Sequence, residues 1–307
     1  MARKSKSRDA PTVIHGKRAD LKEIKNKMIR SKLYRDQAKA RNTEEHKMRH
    51  ERAKMESMDP SLKEERLANN VPDTLDSKRV FDESIDAEKE GTDEFDNYFS
   101  NDKMPKILLT TSKGARKEAY ELKEELLDIL PNSEFIKRGS KFSLKEIAKF
   151  CNNRAYTDIV VINEDKKLVN GITFIHLPEG PTMTFSLTSL RMPKQISGHG
   201  RSTNHIPELI LNNFSTSMGV TVGRLFQSLF PKLPEFVGRQ AVTLHNQRDY
   251  IFFRRHRYIF KNKDRVGLQE LGPQFTLKLR KFQKGIYEEV EWEHKSGMDK
   301  EKRKFFL

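Results

Sequence analysis

Apolar positions change their spacing at a few places along the chain, and those changes predict its elements. KILLTT (106–111) reads as a short strand. Ala119, Leu122, Leu126, Leu127 and Leu130 then recur at helical spacing between Ala115 and Leu130, with Pro131 as the stop. Ser143, followed three residues later by Glu146, has the capping-box pattern and predicts a second helix with Leu144, Ile147, Ala148 and Cys151 on its apolar side. TDIVVIN (157–163) and GITFIHL (171–177) read as strands joined by the charged turn NEDKKLVN, and a Gly180-Pro181 turn leads into TMTFSL (182–187). Near the amino end, Leu21, Ile24, Met28 and Ile29 form a narrow stripe on an otherwise basic segment, which predicts a helix of marginal stability by itself.

The order then recurs. ELILNN (208–213) matches KILLTT, the stretch from Met218 to Phe230 matches the first helix, and FQSLFP (226–231) echoes LLDILP (126–131). DYIFF (249–253) is matched to DIVVI (158–162), and LQELGPQFTLKL (268–279) to LPEGPTMTFSL (177–187). The Ser143 helix has no evident counterpart in the second half. Halves of roughly 80–90 residues bury little core alone, so the repeat predicts an α/β fold of two pseudo-symmetric halves packed together.

Residues 239–260 carry the most chemistry. From Tyr250 at period two, one face holds Tyr250, Phe252, Arg254, His256, Tyr258 and Phe260, and the other holds Ile251, Phe253, Arg255, Arg257, Ile259 and Lys261. Cations interrupt both faces of a strand, which is costly in a core unless each charge has a partner. Guanidinium groups beside aromatic rings suit phosphates and unstacked bases. A strand with arginines at an exposed end is the other reading.

Charge divides the chain. Its 307 residues hold 59 Lys+Arg against 44 Asp+Glu, a net of +15 that predicts attraction to polyanions. Residues 1–56 carry +10, a basic and partly helical tail read either as folding on RNA or a protein groove, or as a solvated nuclear-import signal. Residues 57–104 carry −8 and read as an acidic linker, in which Phe95, Tyr98 and Phe99 would anchor an extended segment, or the acids would keep the linker off the basic domain until RNA competes. Residues 105–307 carry +13 and most of the core-forming residues. One cysteine, Cys151, excludes an internal disulfide framework and a cysteine-based zinc site. No apolar run approaches the roughly 18 residues of a spanning helix, and MARKSKSRDA has no apolar stretch of signal-peptide type, so a soluble intracellular protein is expected.

PKILLTTS (105–112) and above all GRQAVTLHNQRDYIFFRRHRYIF (238–260) resemble the Brix family of ribosome-assembly factors. VPDTLDSKR (71–79), DEFDNYF (93–99) and NKMIRSKLYR (26–35) are similar to the extension of one of its members. The resemblance implies a Brix domain over 105–285, with halves of about 105–190 and 205–285 and a tail over 286–307. Each half is then expected to resemble the anticodon-binding domain of class II aminoacyl-tRNA synthetases. It also implies a nucleolar, non-enzymatic role in large-subunit assembly and rRNA processing. The implied partners are precursor ribosomal RNA, a dedicated protein partner, other assembly factors and ribosomal proteins, with no membrane, metal or cofactor.

Three basic groups are the candidate RNA contacts. The first is the turn Thr110, Thr111, Ser112, Lys113, Gly114, Ala115, Arg116 and Lys117, where amides at a helix start would receive a phosphate. It lacks GxxxxGK[ST] spacing and also reads as an ordinary cap. The second is the connection with Arg191, Lys194, His199, Arg201 and His205 around SGHG (197–200), read as ordering on RNA or as a flexible linker. The third comprises Arg239, Arg248, Arg254, Arg255, Arg257, Lys261 and Lys263, with Asp249 expected to pair with arginines and His256 and Tyr258 read as base-stacking or packed. A nuclease using His245, Asp249 and His256 would have to hold a divalent ion among arginines, which disfavours it. A protein-interaction scaffold with little RNA contact is the alternative function. In YEEVEWEH (287–294), the acids around Trp292 would cover a basic groove or bind a partner, and KEKRKFFL (300–307) is expected to be mobile.

Overall fold

Asn26 opens the first regular element: its side chain accepts the amides of Met28 and Ile29, and helix α1 (Lys27–Met58) follows. A computed structural model describes residues 25–80, 94–100, 103–139, 141–263, 265–301 and 303–307, in two units divided between Asp73 and Thr74. In the first unit, Asp59 caps α2 (Pro60–Asn69) by accepting the Ser61 amide, with Pro60 where no amide is needed. Arg66 joins the two helices through a bidentate contact to Glu56 at 2.6 and 3.0 Å. Neither helix buries a residue. Helix α1 outruns its apolar stripe and enters the acidic zone because Lys, Arg, Glu, Ala and Met sustain it by propensity. Leu21 and Ile24 lie outside the described residues.

The second unit runs from Thr74, and its first regular element among the described residues is the short helix α3 (Asp96–Ser100). Its first half continues with β1 (Ile107–Thr111), α4 (Lys117–Ile129), β2 (Ser133–Phe135), α5 (Leu144–Asn152), β3 (Asp158–Asp165), β4 (Leu168–His176) and β5 (Thr182–Arg191). Then come β6 (Glu208–Asn212), α6 (Ser217–Ser228), β7 (Gln240–Gln247), β8 (Tyr250–Asn262), β9 (Arg265–Glu270), β10 (Gln274–Gln283) and β11 (Val290–Glu293). One sheet takes the order β2-β1-β3-β4-β5-β10-β8-β7-β6, with β9 on β8 and β11 on β10. The order mirrors about the β5–β10 pair, and β1–β3 and β6–β7 are the matching parallel neighbours. The repeat is therefore present, but one match in it was displaced by a strand. The counterpart of DIVVI in β3 is β7, and DYIFF in β8 corresponds to GITFIHL in β4. β7 (QAVTLHNQ) mixes small and polar residues and is not prominent as an apolar run.

The core lies between the sheet and two helices on one face. Leu122, Leu126 and Ile129 of α4 and Val222, Leu225 and Phe226 of α6 pack with Leu109, Val160, Val242, Ile251 and Phe253. On the opposite face α5 covers Leu108, Ile159, Val161 and Ile175, so β1 and β3 are buried on both sides. The Ser143–Glu146 capping box starts α5, with Glu146 accepting from the Ser143 amide at 2.7 Å. Those bonds hold the Glu146 carboxyl below its ordinary range. Cys151 is a buried free thiol, pushed up to about 11 by burial. Among the described residues the second half has no helix at the place of α5, which leaves that face of β7 and β8 to polar and aromatic side chains.

Both flanking segments are tied down. Phe95 is fully buried with its ring 4.8 Å from that of His176, and the Tyr98 hydroxyl donates to the Ser228 carbonyl at 3.1 Å. These aromatics thus anchor a helical turn to both halves of their own unit. The carboxyl end is not the mobile tail expected. Phe305 and Leu307 are buried, the Phe306 and Leu307 amides donate to Asp249 at 2.7 and 2.9 Å, and Thr216 donates to the Phe306 carbonyl. Asp249 is structural as expected, but its partners are these amides and not arginines. β11 pairs with β10, and its acids meet Lys281 and Lys284 at 2.7 Å while Trp292 packs on Phe306.

Candidate nucleic-acid interface

The pleat of β8 separates the three signature arginines. Arg254 pairs with Thr243 on the open face, beside His256 and Phe252. Its guanidinium donates to the Phe253 carbonyl at 2.7 Å, and Glu270 stands 3.9 Å away. Arg255 points into the core with 0% exposure, and its Nε and Nη2 donate to Gln240 Oε1 at 3.1 and 2.8 Å. A guanidinium without access to solvent cannot meet a phosphate, so Arg255 is removed from the candidate contacts. It holds the fold. Arg257, paired with Gln240, is half-buried and reaches Thr203 Oγ1 at 3.4 Å.

Those bonds bring the second and third groups together. Gln240 Nε2 donates to the Thr203 carbonyl at 2.8 Å, and the Gly200 amide donates to the Glu270 carbonyl at 2.8 Å. A Cβ on Gly238 would sit 2.3 Å from His205, so glycine allows the connection to close onto the strand. The SGHG segment is therefore packed against β9 and is not a free linker. Arg191 pairs with Gln274 at the start of β10, Lys194 and Arg201 follow on the connection, and the Arg239 carbonyl accepts the Tyr258 amide at 2.9 Å. Acids lie beneath this rim. Burial and neighbouring Asp128 push the Glu125 carboxyl above its ordinary range, opposed by Arg255, Lys194 and His199. Arg191, Lys194, Arg201, Arg239, Arg254, Arg257 and Lys261 thus surround one end of β8. Among the described residues, the loose Arg254–Glu270 contact is their one ion pair.

Arg248 does not join them. It lies in the β7–β8 turn at the other end of β8, 3.7 Å from Asp76. Nine residues of strand put it roughly 30 Å from Arg257.

The turn after β1 also stands apart, and some of its amides are already engaged. Thr110 and Thr111 are buried, the Ser112 amide donates to the Ile162 carbonyl, and the Arg116 amide donates to Glu164 Oε2 at 2.6 Å. Glu164 thus takes the N-cap amide, one of the donors expected to receive a phosphate. Lys113, Arg116 and Lys117 remain exposed around it, with Lys117 3.5 Å from Glu121.

Beyond Tyr258, β8 pairs with β9 alone and forms a two-stranded arm. Ile259, Phe260, Val266 and Leu268 on this arm are exposed, beside Lys261, Lys263 and Arg265. The alternating sequence shows the arginines there, but only the missing third strand exposes the apolar residues. A second basic patch, KRGSKFSLKEIAKFCNNR (137–154), holds six cations against the single acid Glu146. A windowed charge count over the folded part would have found it.

The His245, Asp249 and His256 arrangement does not form a metal site. Asp249 is engaged by the terminal amides, and among the described residues no group of three His, Cys, Asp or Glu side chains is placed to hold an ion. No helix among them is long and apolar enough to cross a membrane.

Residues 112–281 match the Brix domain family. The chain is 58% identical over 287 residues to ribosome production factor 1 of Saccharomyces cerevisiae, covering 92% of this chain and 97% of that protein. Against ribosome production factor 1 of Mus musculus the identity is 45%, over 94% of this chain and 85% of the relative. A solved structure of a probable ribosomal biogenesis protein from Aeropyrum pernix aligns with a TM-score of 0.43 at 17% identity, covering 61% of this chain and 99% of that one.

Proposed function

Since this chain belongs to the Brix domain family, we propose that it is a ribosome-biogenesis factor that holds precursor ribosomal RNA without altering it chemically. The names of its relatives support the assembly role. The RNA reading rests on one observation: seven cations from three stretches of sequence gather at the outer end of β8 on both faces of the sheet, with Arg254 on the open face. Backbone phosphates are the chemistry they suit. No ordered array of side-chain donors and acceptors for reading base edges accompanies them. On this reading the protein acts in the nucleus, at the nucleolus, on the large subunit, and no catalytic step or cofactor is assigned.

A protein contact is supported by a different observation, the exposed Ile259, Phe260, Val266 and Leu268 on the arm. Such a patch beside cations fits an assembly-factor partner, and RNA and partner would occupy adjacent surfaces. Salt separates the two contacts. RNA affinity should fall steeply with salt, at a slope of about 0.7 per neutralised phosphate for single strands. Arg239→Glu, Arg254→Glu and Arg257→Glu together should reduce that slope by about 2 while the chain still melts cooperatively. An unchanged slope and affinity in that variant would refute the RNA face.

A further inference from the structure

A cavity of about 380 Å³ lies between β1 and α5, lined by residues 136–139 and by Phe142. Its size falls within the range of about 300–1,000 Å³ typical of small-ligand sites. Two phenylalanines stand in its wall with half their surface exposed, Phe142 at 48% and Phe150 at 47%. Their rings meet edge to face, 5.4 Å apart at 86°. Neither belongs to the core, and the cost of leaving such rings in water calls for an occupant.

The charge around the cavity narrows the choice. Lys137, Arg138 and Arg154 line it, and Lys141, Lys145 and Lys149 stand exposed on the adjoining loop and helix. The single acid of the stretch, Glu146, is committed to the Ser143 cap, and Glu134 accepts the Tyr156 hydroxyl. Among the described residues none of these six cations makes an ion pair, and Arg138 Nε is buried without a hydrogen-bond partner. Aromatic faces within a ring of free cations are what an unstacked base and its flanking phosphates require.

The sheet relates the cavity to the β8 cations. Cross-strand pairs carry one face from Ile159 and Ile175 through Thr173, Thr184, Ser186 and Lys278 to Tyr250 and Phe252. The α5 side of the first half and the open side of the second are therefore the same side of one sheet. Five strand steps separate β1 from β8, roughly 24 Å along the sheet. Between them that side is covered, with Thr173 and Lys278 buried and Lys278 joined to Asp299, so the cavity and the Arg254 end are separate contacts.

We propose that this cavity takes an unstacked nucleotide of single-stranded RNA, its base against Phe142 and Phe150 and its phosphates among Lys137, Arg138 and Arg154. The inference rests on the RNA-binding reading above and adds to it a contact that is neither ionic alone nor part of the β8 signature.

The test uses the full chain and a short fluorescent oligouridylate, with affinity measured across a salt series. The variant Phe142→Ala/Phe150→Ala should lose about tenfold in affinity, the effect of removing one base–aromatic stack, with the salt slope unchanged because no cation is removed. Phe142→Leu/Phe150→Leu keeps the apolar bulk and should lose as much, which separates stacking from misfolding. Lys137→Glu/Arg138→Glu should lower both affinity and slope. Photo-crosslinking of a 4-thiouridine-bearing oligomer should mark peptides between Phe142 and Tyr156. If the chain binds the oligomer but both phenylalanine variants bind as well as the parent, and crosslinks fall only on β8 and the 191–205 connection, the cavity assignment is wrong and the RNA reading stands. If the parent chain does not bind the oligomer, both are wrong. Recovery of an acidic protein segment crosslinked in the cavity, in place of RNA, would also overturn the assignment.

Discussion

The Gln240–Arg255 pair offers the sharpest check on how β8 works. Arg255 is a cation without solvent contact, held by two bonds to one neutral acceptor, and its Nη1 is buried without a partner. Burial lowers its pKa from the ordinary value, opposed by Asp128 and Glu125, but an arginine remains protonated. Gln240→Ala removes the acceptor and strands the charge. Hydrogen bonds to charged groups contribute about 1.5–3 kcal/mol each, and two that share one oxygen are not fully additive, so about 3 kcal/mol should be lost. For a unit of this size that corresponds to about 6–12 °C in Tm. Arg255→Met keeps an unbranched stem and removes the charge altogether. It leaves the Gln240 oxygen unpaired, at a cost of about 1–3 kcal/mol, but relieves the desolvation of the guanidinium, so the net loss should be about 1 kcal/mol. Urea unfolding of both single variants and the double variant gives the coupling, and RNA affinity of folded Arg255→Met should equal that of the parent. The reasoning fails if Gln240→Ala is neutral, if Arg255→Met is the more damaging change, or if folded Arg255→Met no longer binds RNA.

Other substitutions probe the remaining ties. Asp249→Ala should cost about 3 kcal/mol through loss of two amide–carboxylate bonds, and deletion of Phe306 and Leu307 should cost at least as much; urea midpoints matching the parent would show that the terminus is not clamped. Phe95→Ala empties a fully buried position and should cost about 3–5 kcal/mol, seen as a lowered urea midpoint; a midpoint equal to the parent's would mean that the segment before β1 is dispensable. Glu125 has a folded pKa raised above its usual 4.5 by burial and Asp128, so its contribution is fully present below that value and is lost as pH rises through the raised pKa. Glu125→Gln should therefore gain on the parent between about pH 4 and about pH 7 in urea midpoint; a flat or falling difference would contradict the buried placement.

Local pattern carried a large part of the fold. The apolar run of β1, the helical stripe of α4 and the Ser143–Glu146 box each act within a few residues, and each element forms where its spacing indicates. Period-two alternation in β8 correctly assigned Arg254 and Arg255 to opposite faces. It did not say which face was buried. That depended on α4 and α6 occupying one side of the sheet and on the second half lacking a helix on the other. A cation in the core was tolerable because Gln240, paired two positions from it on the neighbouring strand, supplies the acceptor. The counterpart of β3 was misread because strand correspondence is a property of sheet order, which a weakly apolar strand such as β7 does not announce.

Residue order alone is enough for the family, the repeat, the cationic surplus and the segment where signature arginines concentrate. Which of those cations meet solvent is settled by the fold. It drew the 191–205 connection onto β8, gave the Arg116 amide to Glu164, seated the carboxyl terminus on Asp249 and left two phenylalanines at α5 uncovered. The difference is one of range. Propensity, capping and alternation act over one or two turns, whereas burial and electrostatic pairing depend on residues that only the folded sheet brings together.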